Sequence, residues 1–581
     1  MDTTNLKLRS RDWFGKDDRW GVAHRAWLRA EGFSERVFAG KPVIGICNSW
    51  SELNNCNAHL RQVAEAVKRG VWEAGGFPLE FCTISLGEML MKPTTMLYRN
   101  LMAMDVEECI RAYPLDGVAL LCGCDKTTPA QLMGAASADV PALMVPGGPM
   151  LRGMWHGMEL GSGTDLRRFW EEVRAGRLSD EEFCEIESCV SRSAGHCTVM
   201  GTASTMAGLA EALGMTLPGA ADIPAPDSRR LSIAEQSGRR IVEMVAEGLR
   251  PSQILTAAAF ENAICLLMAL GGSTNAIIHL VAIAGRVGLE LPLSRFEEIS
   301  RTTPMLANVK PSGKYLMEDF SYAGGVPAVL KEIASRLHLE AGTATGKTLG
   351  ENISRAACFN REIIKPFSQP LYPEGGLVVL GGNLAPCGAV IKQSAASPHL
   401  LRHKGKAVVF EDNRDLLARI DDAHLQVEED SILVLKNAGP KGAPGMPEWG
   451  HLPIPAKLLK AGVKDMVRLS DARISGTSFG TLVVHISPEA AEGSALAIVK
   501  NGDEIELDVR EKRLELLVPE AVIKARLAQW TPPAPHYSRG YGKMYLDHIL
   551  QAHQGCDFDF LLGRDAAEDL SPLRRFPNPA L

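Results

Sequence analysis

Surplus positive charge is missing from this 581-residue chain: Lys and Arg number 62 against 69 Asp and Glu, a formal net charge of −7. Nucleic acids and anionic membranes are bound through a basic face, so neither is expected as a partner. Long apolar runs are missing too. The N-terminal segment MDTTNLKLRSRDWFGKDDRW has no apolar core of the kind a signal peptide carries. The most apolar stretch, Ala263 to Gly285, is interrupted by Gly271-Gly272-Ser273-Thr274-Asn275 and contains His279. A membrane-spanning helix needs about 20 predominantly apolar residues, so this stretch reads as two buried helical pieces meeting at a glycine-rich bend. A cytoplasmic location is expected. The 13 cysteines are odd in number and scattered, which excludes a disulfide framework and leaves core residues, metal ligands or both.

Several chemical signatures are absent as well. Gly-Thr-Ala-Thr-Gly-Lys-Thr at 342–348 is one residue short of a phosphate-binding P-loop. His399 and His403 have zincin spacing without the accompanying glutamate. No G-x-G-x-x-G opens the first strand–helix unit, and no G-x-S-x-G surrounds a serine. There is no internal repeat and no low-complexity tract.

What is present is ordinary globular composition, 46% apolar and 23% charged, in a chain long enough for two or three domains. PVIGIC, LEFCTIS, GVALLC and PALMVP, between Lys41 and Pro149, read as buried strands. Leu60, Val63, Val67 and Val71 fall on one helical face between the first two. Strand–helix alternation predicts an α/β unit with a parallel sheet under helices, with functional residues at the strands' C-terminal ends. The stretch 151–370 reads as mostly helical. From about Gly376, LVVL, AVVF, ILVLK, MVRL, TLVVHI, EIELDV and LELLV predict a closed or nearly closed β-barrel. The boundary is placed near 375, giving domains 1–375 and 376–581.

Three cysteines stand at expected loop or helix-start positions: Cys56 in NNCN, Cys124 in LLCGCDKTTP and Cys197 in GHCTVMGTASTM. Backbone N–H groups there stabilise thiolates, which are soft ligands for zinc or iron–sulfur clusters. Their spacing matches no short zinc pattern, and burial as a small hydrophobe is the competing reading; that reading is preferred for Cys47, Cys109, Cys265 and Cys358. Beside Cys124 sit Asp125 and Lys126. Glu88 follows the second strand, and Glu448 lies in a Gly/Pro-rich loop of the second half. Taken singly each acid would be a solvated charge; converging, they would suit Mg²⁺. Ser475 lies in a strand-to-turn segment, SDARISGTS, where an ordinary Ser/Thr turn is the simpler reading.

NNCN, GCDKTTP, GHCTVMGTASTM, GGSTNA at 271–276, PSGKYLME at 311–318, GPKGAPGMPE and SDARISGTS together resemble the dihydroxy-acid dehydratase / phosphogluconate dehydratase family, in order and over nearly the whole chain. LRSRDWF, GEMLMKPT and SAASPHLL point within it to the sugar-acid (arabinonate/xylonate-type) dehydratases. The resemblance implies an α/β/α sandwich followed by a β-barrel, in a homodimer or homotetramer. It implies Cys56, Cys124 and Cys197 as ligands of a [2Fe–2S] cluster. Glu88, Asp125, Glu448 and a carbamylated Lys126 would be Mg²⁺ ligands, Ser475 the base and Thr477 a substrate contact. Two departures stand out. Asn55 replaces a proline common before the first cysteine, so a looser loop is expected. Lys92 replaces an arginine, which loses a bidentate fork.

The implied reaction takes a proton from C2 and hydroxide from C3 of a polyhydroxy acid, giving a 2-keto-3-deoxy acid without redox change. Mg²⁺ would stabilise the enediolate, and a cluster held by three cysteines would leave iron open to act as a Lewis acid. One rival reading is branched-chain amino-acid biosynthesis, with 2,3-dihydroxyisovalerate as substrate. Another is a non-catalytic iron–sulfur protein, which would have no use for Glu88, Asp125, Lys126, Glu448 and Ser475.

Overall fold

A computed structural model describes residues 7–563. Strands β1 (Val43–Asn48), β2 (Phe77–Cys82), β3 (Gly117–Cys122) and β4 (Ala142–Pro146) form a parallel sheet in the order β2-β1-β3-β4. Strands β1, β3 and β4 are buried along their whole length, as continuous apolar runs covered on both faces must be. The chain steps outward from β1 to β2, then back across to β3 and β4. Right-handed crossovers therefore put helix Leu60–Glu73 on one face and helices Arg99–Ala112 and Thr127–Ala138 on the other. Leu60, Val63, Val67 and Val71 are fully buried in the first of these helices, each contributing about 1.5–3 kcal/mol. Helix Ser228–Glu247 packs beside it.

The apolar stretch after Ala263 forms helices Ala257–Leu270 and Asn275–Arg286 with the bend at 271–274 between them. Among the described residues no helix is long and apolar enough to cross a membrane. A short hairpin, β5 (Gly153–Trp155) and β6 (Met158–Leu160), precedes the helical stretch.

The second half holds β7 (Val378–Leu380), β8 (Ala389–Ile391), β9 (Arg402–Phe410), β10 (Ile432–Leu435), β11 (Arg468–Ser470), β12 (Leu482–Val484), β13 (Glu504–Asp508) and β14 (Arg513–Leu516). They form one sheet, β14-β13-β9-β10-β11-β12-β8-β7. A bridge between Gly381 and Arg513 joins its two edges, so the barrel is nearly closed. Alternation sets the faces: Ala407, Val409, Ile432 and Val434 point into the barrel core. Val408, Phe410, Leu433 and Leu435 belong to a separate cluster with Leu416 and Leu459 from the short helices outside. Strand β8 is not among those expected from the sequence. Strands β9 to β12 are parallel, so this barrel, like the first sheet, has loops gathered at the C-terminal ends of parallel strands.

Candidate active site

Those two sets of loops meet. From the first sheet, Cys56 follows β1, Glu88 follows β2, and Cys124, Asp125 and Lys126 follow β3. From the barrel, Glu448 lies beyond β10, and Arg473, Ser475 and Thr477 lie beyond β11. The Lys126 ammonium, fully buried, lies 2.9 Å from Asp125 Oδ2, 3.1 Å from Glu448 Oε1 and 3.2 Å from Glu88 Oε2. Each of the three acids offers one oxygen within 4.8 Å of the others', the one such grouping of ligand atoms among the described residues. Burial and Arg473 work against the Lys126 charge, but Asp125, Glu448 and Glu88 outweigh them and raise its pKa. Burial alone would raise the Glu448 carboxyl. Lys126, Arg473 and Arg167 instead hold it well below the usual carboxylate range.

Residues inside the motifs, but not singled out from sequence, hold this cluster in place. Buried Arg473 donates to Glu448 Oε1 at 3.0 Å, to Thr94 Oγ1 at 3.1 Å and to the Met446 carbonyl at 2.8 Å. Thr94 donates to Glu88 Oε1 at 3.1 Å, and Thr95 also donates to Glu88. Asn275, from GGSTNA, donates through Nδ2 to Glu448 Oε1, to the Ile474 carbonyl and to Thr202 Oγ1. In the sequence these two are only an arginine and an asparagine inside polar, glycine-rich motifs. The sequence could not say which acids they would meet.

The thiols gather on the adjoining side. Cys124 is within hydrogen-bonding reach of the Cys56 sulfur, and that contact together with burial pushes its thiol well up. Burial, with Cys56 and Asp125 facing it, pushes the Cys197 thiol up to about 12. Cys124 Sγ lies 3.4 Å from Asp125 Oδ1, so the sulfur and oxygen sets touch. Two asparagine acceptors, Asn54 and Asn57, take the backbone N–H groups of Cys56 (3.2 Å) and Cys124 (3.1 Å). Gly123 is required between them: a Cβ there would stand 2.5 Å from the Cys56 carbonyl and 2.6 Å from Asn57 Oδ1.

The loop before Cys56 is tied where sequence predicted looseness. Asn55 Nδ2 donates to the Ser193 and Gly195 carbonyls at 3.3 and 3.4 Å, and the Asn55 carbonyl accepts from Gly195 N at 3.2 Å. A proline has no side-chain donor to make the first two bonds, so this asparagine links the Cys56 loop directly to the Cys197 loop. The Lys92 side chain is exposed.

Ser475 lies at the seam. Its Oγ is 2.9 Å from Thr477 Oγ1 and 3.4 Å from Thr477 N. Gly476, between them, packs against the first domain, where a Cβ would come within 2.6 Å of Thr202 N.

The chain matches the dihydroxy-acid/6-phosphogluconate dehydratase N-terminal model over residues 41–352 and the C-terminal model over 362–556. It belongs to the dihydroxy-acid/6-phosphogluconate dehydratase family. The dehydratase is 54% identical over 559 residues to the L-arabinonate dehydratase of Rhizobium leguminosarum bv. trifolii, covering 96% of each chain. It is 48% identical to the 6-deoxy-6-sulfo-D-gluconate dehydratase of Pseudomonas putida (97% and 98% covered). It is 42% identical to the dihydroxy-acid dehydratase of Ignicoccus hospitalis (92% and 97% covered). The protein is thus an enzyme of the hydro-lyase class.

The donor chemistry of this dehydratase fits both groups that the family resemblance implies. Three carboxylate oxygens at this spacing suit a hard divalent cation such as Mg²⁺. Three thiols unpaired with any other cysteine suit the iron of a cluster.

Proposed function

We propose that this dehydratase converts a sugar acid (an aldonate) to its 2-keto-3-deoxy acid, with Ser475 as the base at C2. The observation that carries the reading is the contact of a carboxylate set and a thiol set of opposite hardness, tied to the Ser475 turn through Asn275, which donates to both Glu448 and the Ile474 carbonyl. Soft and hard donors at the same seam suit two metal groups, a [2Fe–2S] cluster on Cys56, Cys124 and Cys197 and Mg²⁺ on Glu88, Asp125 and Glu448. When bound, these groups supply Lewis acidity toward the substrate's carboxylate, C2 oxygen and departing hydroxide. As an ammonium Lys126 neutralises the acids; as a carbamate, formed by adding CO₂ to its amine with release of two protons, it would offer oxygen to Mg²⁺ and complete that set.

The chain's own residues do the rest. Ser475, as its alkoxide, takes the C2 proton on Oγ, and the Thr477 hydroxyl and N–H face that oxygen while it carries charge. Arg473 and Asn275 keep Glu448 oriented toward the site. The enol left after hydroxide departs tautomerises to the ketone, so no electron acceptor is needed. Sugar acids are favoured over 2,3-dihydroxyisovalerate because the more similar of the relatives above are named for sugar acids. The working form is a homodimer or homotetramer in the cytoplasm.

The test is 2-keto acid formation by anaerobically purified protein with Mg²⁺, across arabinonate, xylonate, gluconate and 2,3-dihydroxyisovalerate. One aldonate is expected to exceed dihydroxyisovalerate in kcat/KM by about tenfold or more. Equal or better turnover of dihydroxyisovalerate would overturn the sugar-acid assignment and favour the biosynthetic one.

A second expectation concerns the loop that carries Glu448. The Glu489 carboxylate accepts from Lys441 N and Gly442 N, at 2.9 and 2.8 Å, and from Gln551 Nε2 at 2.7 Å. Asp471 accepts from Ala438 N and Ala490 N, both at 2.9 Å. Two buried carboxylates thus pin the start of the loop. Supporting groups of this kind are worth about 10–100-fold in metal affinity. Glu489→Ala is expected to raise the Mg²⁺ concentration for half-maximal activity by about tenfold or more, and Glu489→Gln by less. An unchanged Mg²⁺ requirement in Glu489→Ala would remove this residue from the support of the site.

A further inference from the structure

One charged side chain at the seam has no part in the reaction described above. Arg167, half-buried on helix Thr164–Arg174, donates through Nη1 to Thr477 Oγ1 at 3.1 Å. The same Thr477 oxygen lies 2.9 Å from Ser475 Oγ. Thr164, on the same helix, donates to the Thr477 carbonyl at 2.8 Å and so fixes the residue from its backbone side. Three side chains therefore form a line from a guanidinium, through one hydroxyl, to another.

The donor rules set the direction of that line. A guanidinium has no acceptor, so Thr477 Oγ1 accepts from Arg167. While Ser475 keeps its proton, either hydroxyl can donate to the other. Once Ser475 has given that proton to solvent, the alkoxide can only accept, and the single Thr477 proton turns to it. Arg167 then fills a Thr477 lone pair just as that hydroxyl becomes a donor to an anion. Hydrogen bonds to ionised groups are about twice as strong as neutral ones, and polarisation along a chain adds to them.

We propose that Arg167 is a positioning residue that stabilises the alkoxide of Ser475 through Thr477. The inference rests on Ser475 being the base. Burial works against the Arg167 charge, while Glu448, Cys197 and Glu171, all facing it, support it. An arginine remains a cation under such conditions, so its positive charge is available at the seam. The simpler alternative is that Arg167 holds a substrate oxygen directly, and the two differ in what they predict.

The test uses the anaerobic holoenzyme with its best aldonate, unlabelled and deuterated at C2. Arg167→Ala is expected to lower kcat by about 10–100-fold, less than the loss of a donor in direct contact with developing charge, with KM within about threefold and an enlarged C2-deuterium isotope effect. Arg167→Gln, which keeps a donor to Thr477 without the charge, is expected to fall between Ala and the parent. The deciding measurement is a double-mutant cycle. In a Thr477→Val background, Arg167→Ala should have almost no further effect on kcat. An additive loss, or a raised KM with kcat and isotope effect unchanged, would make Arg167 a substrate-binding residue and overturn the proposal. Iron content equal to the parent's shows that the site is intact. If Arg167→Ala does not fold, Arg167→Gln carries the same cycle. An inactive Ser475→Ala beside a fully active Arg167→Ala sinks this inference alone; an active Ser475→Ala removes its foundation.

Discussion

Ser475→Ala is expected to lose about 10²–10⁴ of kcat, the usual contribution of a positioned general base, while keeping the iron and colour of the parent. The expectation follows from how little else the hydroxyl does. Its bonds are to the Thr477 hydroxyl and N–H, and Thr477 retains Arg167 and Thr164 when it is removed. The lost hydrogen bond costs about 1 kcal/mol of stability, too little to unfold a domain of this size. No sulfur or carboxylate of the two donor sets depends on it. The measurement is kcat together with exchange of the C2 hydrogen in heavy water. A variant that keeps more than a tenth of the parent's turnover would show that some other group takes the proton.

Cys124→Ser should fail differently, with loss of iron as well as turnover. Cys124 is the buried member of the thiol set, in contact with both Cys56 and Asp125. A serine oxygen is smaller and harder than sulfur, and a poor ligand for the iron of a cluster. A ligand should be worth no less than its supporting groups, so a loss of at least about 100-fold is expected. Iron analysis and the visible spectrum of anaerobically purified protein, read beside kcat, decide the matter. A colourless variant with near-parent activity would take the thiols out of the chemistry. Together the two variants separate the base from the soft-metal half of the site, since one keeps its colour and the other does not.

Much of the architecture was legible in the chain. Continuous apolar runs such as VIGIC and GVALLC can be satisfied only in strands covered on both faces, and helical spacing at Leu60, Val63, Val67 and Val71 marked the cover. In the second half, short apolar runs at Ala407 to Phe410 and at Ile432 to Leu435, set off by turn residues, showed strands without showing their direction. The barrel was anticipated, but its four parallel strands were not, because strand direction depends on the connections and not on the pattern within each strand. The strand β8 (Ala389–Ile391) and the hairpin β5–β6 were not read from the sequence.

The candidate site divides in the same way. Composition and loop position marked Cys56, Cys124, Cys197, Glu88, Asp125, Lys126, Glu448 and Ser475 one by one, and the family motifs grouped them. Asn55 was misjudged: a missing proline suggests a loose loop only until the side-chain amide is seen to reach Ser193 and Gly195. Arg473, Asn275 and Arg167 were invisible as participants, since an arginine or asparagine carries no mark of its partner, whether in a turn or on a helix.

Local chemistry is written residue by residue, so the sequence by itself determined the types of donor, the strands and helices that carry them, and the family. Proximity is not written locally. That Lys126 lies among three acids drawn from both halves of the chain, and that Arg167 reaches Ser475 through Thr477, was decided only when two sets of parallel strands turned their C-terminal ends toward each other. Contacts such as Lys126 to Glu448 join residues more than 300 positions apart, and no period or spacing along a chain encodes a distance of that kind.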